Sequence, residues 1–119
     1  MPSTVQPTLI TRDVDRLLRF YVGVAGAEPT DRQPPEGPVF YQGLRIGDSD
    51  LGIVAVDDAP ADPGRVLLSI AVADVDAALP RVEELGGAVQ GPPNDMPWGE
   101  RVAHVRDPDG NALNLTTSL

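Results

Sequence analysis

His104, Trp98 and Arg45 carry the most distinctive chemistry in this sequence of 119 residues. His104 is the single histidine. An imidazole titrates near neutrality, so it can hydrogen-bond a ligand or, in an enzyme, take and return a proton. No serine or cysteine nucleophile motif accompanies it, which leaves a catalytic triad without support. The plain alternative is a surface or structurally satisfied histidine. Trp98 is the single tryptophan, held between Pro97 and Gly99. A core indole normally sits inside an apolar run, so Trp98 is either a plug closing a sheet edge or an aromatic wall for a planar or cationic ligand. Arg45 can grip a carboxylate or phosphate with two parallel N–H bonds, or pair with one of the chain's own carboxylates. Asp107, Asp109 and Asn111 read as turn formers. Asp57 and Asp58 read as a solvated linker, not as a general acid–base pair.

The elements that must position these groups follow from periodicity and punctuation. Val5 to Thr11 is short and β-branched, a strand signature. Asp13 or Asp15 can cap a helix whose apolar stripe is Leu17, Leu18, Tyr21 and Val22 and whose end is Gly26. Glu28 to Pro38 is a proline-rich connection. FYQGLRI, GDSD and LGIVAV then read as a β-hairpin, with Phe40, Leu44 and Ile46 on one face and Tyr41, Gly43 and Arg45 on the other. A second strand of this kind, Val66 to Val72, alternates Leu68, Ile70 and Val72 with Leu67, Ser69 and Ala71. The next helix spans about Asp76 to Leu85, and Pro80 predicts a late start because proline is costly beyond a first turn. RVAHVRDPDGNALNL is a second hairpin that turns at Asp107–Asn111 and places His104 and Asn114 on its two strands.

The order strand, helix, then two or three strands occurs twice, and the sequence repeats with it. Asp13–Val14–Asp15 returns as Asp74–Val75–Asp76 at an offset of 61 residues (74 − 13 = 61). The same offset carries Leu18 onto Leu79, Gly26–Ala27 onto Gly87–Ala88 and Asp48 onto Asp109. These identities fall at strand ends, helix caps and turns. The chain is therefore one domain of two modules, about 1–57 and about 65–119, joined by a linker at 58–64. A half-sized module cannot close a core alone, and pairing two creates a curved surface between them.

Bulk properties exclude several classes. The net charge of −9 and the absence of lysine argue against nucleic acid, whose phosphates need clustered cations. Acidity keeps a protein soluble and also draws in cationic ligands. Without cysteine there is no disulfide framework, thiolate metal site or cysteine nucleophile. No apolar stretch approaches the ~20 residues of a membrane span. The N-terminus lacks a basic segment followed by an apolar run, so a cytoplasmic location is expected.

LITRDVDRLLRFY and RDPDGNALNL, with MPWGERVAHVRDPDGN before the closing hairpin, make the whole chain resemble the vicinal oxygen chelate superfamily. That superfamily contains glyoxalase I, extradiol dioxygenases, and fosfomycin- and bleomycin-resistance proteins. The PWG turn ahead of DPDGN is most similar to the bleomycin-resistance branch. The resemblance implies an α+β fold: two tandem βαβββ modules forming a curved mixed sheet around a cup, with helices on the outer face. In metal-dependent branches, one cup-facing residue on each of four strands, normally His, Glu or Gln, binds a divalent ion. Carried over, these positions are Gln6, Ile53, Leu67 and Asn114. Two are aliphatic and two are neutral amides, so the resemblance implies no metal and no cofactor here. The cup face is then expected to hold Gln6, Thr8, Tyr41, Arg45, Leu51, Ile53, Leu67, Ser69, His104, Ala112 and Asn114, with Trp98 as its aromatic wall. The implied function is a metal-independent homodimer that sequesters a drug or natural product, cationic or aromatic, in its clefts. The alternatives are a metal-free isomerase, cyclase or lyase in which His104 transfers a proton, and a metal-dependent glyoxalase or dioxygenase.

Overall fold

A computed structural model describes residues 4–119. The first module runs β1 (Thr8–Thr11), α1 (Val14–Ala25), β2 (Glu28–Gln33), β3 (Tyr41–Ile46) and β4 (Ser49–Ala55). The second runs β5 (Leu68–Ala71), α2 (Val75–Glu84), β6 (Ala88–Val89), β7 (Asn94–Asp95), β8 (Glu100–Arg106) and β9 (Ala112–Ser118). The α+β class and the repeated order stand. The strands form two mixed sheets, one from each module, ordered β1-β4-β3-β2 and β5-β9-β8-β6 with β7 also paired to β8. In each, the first strand lies parallel to the last, and the hairpin strands are antiparallel.

Both helices start where an aspartate can cap them. Asp13 accepts a hydrogen bond from the Arg16 amide, and Asp74 accepts one from the Ala77 amide. Gly26 closes α1 at φ 69°, the left-handed conformation that the sequence assigned to it. Helix α2 corrects one expectation. It begins at Val75 and carries Pro80 inside, so the cap at Asp74 fixes its start despite the proline. Two further corrections concern strands. The first strand begins at Thr8, not Val5, and Glu28–Gln33 is a strand, not a loop. Strand β2 is an edge strand with a register shift between Pro29 and Arg32, where a proline costs no ladder bond that a neighbour needs. The buried Gln42 amide donates to the Asp31 and Gly43 carbonyls beside that irregularity.

One core serves both modules. Val14, Leu17, Phe20, Tyr21 and Val24 of α1 meet Val75, Ala78 and Val82 of α2, over the inner faces of both sheets. Phe20 and Tyr21 pack edge to face with centroids 5.2 Å apart. Phe40, expected beside Leu44, precedes β3 and is 60% exposed, whereas Leu44 is buried. A polar bond also joins the modules: the Tyr21 hydroxyl donates to Asp107 Oδ2 at 2.7 Å. Asp107 accepts three further bonds from its own turn, from the Asp109 and Asn111 amides and from Asn111 Nδ2. No helix among the described residues is long and apolar enough to cross a membrane.

Candidate functional site

Residues directly opposite one another on antiparallel strands share a face, so register decides which side chains look away from the core. In the first hairpin Leu44 faces Leu51 and Gln42 faces Ile53, and all four are buried under the helices. The outward face carries Tyr41, Gly43, Arg45, Asp50, Gly52 and Val54, and parallel pairing adds Thr8 beside Gly52. Leu51 and Ile53 were expected in the cup and are core residues, at 6% and 0% exposure.

The cause is one residue of turn length. Arg45 pairs with Asp50 across four residues, whereas its equivalent Arg106 pairs with Ala112 across five. Thr8 aligns with Gly52 and Ser69 with Asn114, so the strand offset after the turn is 62 (114 − 52 = 62), not 61. A one-residue slip exchanges the two faces of a strand. The family position expected at Ile53 therefore falls on Gly52.

The outward faces hold two pairs of groups. On the first module, Gln6 Nε2 donates to the Tyr41 hydroxyl at 2.8 Å. The Tyr41 ring passes over opposed Gly43 and Gly52: a Cβ at Gly52 would lie 3.0 Å from Tyr41 Cε1, and one at Gly43 would lie 3.4 Å from Tyr41 Oη. On the second module, His104 Nδ1 lies 2.7 Å from Asn114 Oδ1. The amide oxygen can only accept, so this contact places the proton on Nδ1 and leaves Nε2 exposed as an acceptor in the neutral ring. Ser69 pairs beside Asn114, on the same face. A cleft of about 780 Å³ opens between the segment before β1, the first hairpin turn and β5, and both Gln6 and Ser69 line it. Leu67 precedes β5 and is 52% exposed.

Arg45 and Trp98 are placed differently from the anchors expected of them. Arg45 donates to the Gly47 and Asp48 carbonyls and pairs with Asp50 at 3.4 Å. Arg106, its equivalent in the repeat, bonds the Gly110 carbonyl in the same way, so both arginines tie down their own turns. Trp98 is 67% exposed, which removes the core plug, and its indole N–H donates to Glu100 Oε1 at 2.8 Å. Nearby, Arg101 forks between Asp76 and Asp95. Its hydrogen bond and charge hold the Asp95 carboxyl below the usual range, and the two carboxylates raise the guanidinium in turn.

The sequence reading missed Asp50, Gly52 and Val54 on this face, and also Thr30, whose Oγ1 sits 2.6 Å from where a Gly43 Cβ would be. Isolated glycines inside strands signal a close approach of other atoms, and that signal was present at Gly43 and Gly52.

A divalent ion does not fit the family positions. Leu67 and Gly52 offer no side-chain lone pair, Gln6 and Asn114 offer only neutral amide oxygens, and that of Asn114 is engaged by His104. Among the described residues, no group of three or more His, Asp or Glu gathers to hold a metal.

A model of the Glyoxalase/Bleomycin resistance protein/Dioxygenase superfamily matches residues 4–115. An uncharacterised protein of Mycolicibacterium smegmatis is 42% identical over 116 residues, covering 93% of this chain and 90% of its own. The anthracycline biosynthesis protein DnrV of Streptomyces peucetius is 32% identical over 111 residues, covering 90% of this chain and 38% of its own. The crystal structure of the fosfomycin resistance protein FosX of Mesorhizobium loti superposes with a TM-score of 0.77 at 22% identity, covering 100% of this chain and 94% of that one.

Proposed function

The chain belongs to the Glyoxalase/Bleomycin resistance protein/Dioxygenase superfamily, and within it we propose a metal-independent binding protein that sequesters a drug or natural product in clefts completed by a second copy. The observation that carries this reading is the donor set at the four family positions: Gln6, Gly52, Leu67 and Asn114. Sequestration needs affinity and no chemistry, which suits faces built from amides, rings and small residues. The similarity to an anthracycline biosynthesis protein points to the same ligand class, a natural product.

A thermal-shift screen against a natural-product library, run with and without EDTA, tests the reading. A ligand at 100 times its dissociation constant should stabilise the fold by about 2.7 kcal/mol, with the same shift in chelator. Exposed Trp98 supplies an independent emission signal for the titration. Shifts that appear only with added divalent ion would overturn metal independence.

The His104–Asn114 contact favours one second reading. A fixed tautomer with exposed Nε2 suits a proton acceptor in a metal-free isomerase, cyclase or lyase. Turnover of a screened ligand, abolished by His104→Gln with binding retained, would select this reading over sequestration.

A further inference from the structure

We propose that Tyr41 is the floor of a stacking subsite for a planar aromatic group on the outward face of the first module. The inference rests on the ligand-binding reading and supplies its ligand class. A tyrosine on the open face of a sheet ordinarily stands off the strand, roughly perpendicular to it. Here Cε1 lies above Gly52 and Oη above Gly43, and these glycines are direct cross-strand partners, so the ring lies along the sheet. Any larger residue at 52 would lift it: a Cβ there would also come within 2.9 Å of Gln6 Nε2 and 3.2 Å of Thr8 Oγ1. The Gln6 amide pins the hydroxyl from the side. Tyr41 is half-buried, as expected for a ring with one face against the backbone and the other open.

The repeat shows that this arrangement belongs to the first module alone. In the second, Val102 stands where Tyr41 does, and His104 and Asn114 fill the floor left bare by Gly43 and Gly52. A flat ring held at its edge is pre-organised, so a planar partner loses little freedom on binding it. The net charge of −9 and the electron-rich ring face together favour a planar cation.

The test uses 9-aminoacridine, a planar fluorescent cation, and dicyclohexylamine, an amine of the same charge without a flat face. The full chain should bind 9-aminoacridine, and dicyclohexylamine should compete poorly. Tyr41→Ala should weaken binding about tenfold or more, and Tyr41→Phe should stay within about threefold of the parent. Gly52→Ala keeps the tyrosine but lifts its ring off the backbone, so it should weaken the probe, with the unfolding midpoint measured alongside to separate this from a loss of fold. Equal binding by Tyr41→Ala, equal binding of dicyclohexylamine, or no binding of the acridine would each overturn the subsite. If the acridine tests fail and the library screen still yields ligands, sequestration stands and stacking falls. A Tyr41-dependent acridine site with no library hit supports the subsite and counts against sequestration.

Discussion

Tyr21 gives its proton to a carboxylate that is already well supplied with donors. Asp107 is 2% exposed and accepts three bonds from its own turn besides the one from Tyr21. Burial, and then the charge of Asp107, push the Tyr21 hydroxyl well above its usual pKa of 10.0. The unfolded chain ionises this tyrosine near that value and the native chain does not. The stability it contributes is therefore complete below about pH 10 and declines as pH rises beyond it. Tyr21→Phe should cost about 1–3 kcal/mol at neutral pH and flatten the alkaline decline, as read by urea unfolding from neutral to strongly alkaline pH. A mutant with the parent's alkaline slope would remove Tyr21 as its source. The sequence marked Asp107 as a turn former, which it is. Its second task was illegible, because the partner lies 86 residues away. The pairing of His104 with Asn114 was legible, since a hairpin makes neighbours of residues equidistant from its turn.

Helix α2 shows local chemistry competing within one element. Pro80 cannot donate to the Asp76 carbonyl one turn earlier, and its ring crowds that turn. The proline predicted a late start, but the Asp74 cap and the buried face of Val75, Ala78 and Val82 outweigh it. Pro80 is exposed, so its replacement leaves the core untouched. Pro80→Ala should raise stability by about 1–3 kcal/mol, the interior-proline penalty less the freedom that alanine returns to the unfolded chain. Chemical denaturation should show a higher midpoint at unchanged slope, and a lower midpoint would mean that Pro80 has a packing role. Strand β2 was illegible for a related reason. Its prolines read as loop, and only its place at a sheet edge, a tertiary fact, makes them tolerable.

At the scale of the molecule, the repeat, the α+β class and the family were all legible, because they rest on caps and turns that are local in sequence. Which residues look outward was only half legible, because an ungapped offset of 61 is right before the hairpin turn and wrong after it. The two sheets leave β1 and β5 as edges, with Ile10, Val66 and Leu67 exposed on or beside them. Unprotected edges and apolar residues favour a covering copy. Sedimentation equilibrium at micromolar concentration should therefore give a dimer, and a clean monomer at high concentration would count against clefts shared between chains. The longer second turn also bears on how the two halves have come to differ. A loop tip absorbs an added residue cheaply, whereas a slip along the strands would bury Asn114 and expose Leu113 and Leu115. Length change is thus confined to the tip, and each rung of the ladder keeps its side. Gly52 and Asn114 are the same rung in two copies, one bare and one polar. The packed rungs constrain both copies to the same apolar pattern, while the outward rungs carry two unlike surfaces.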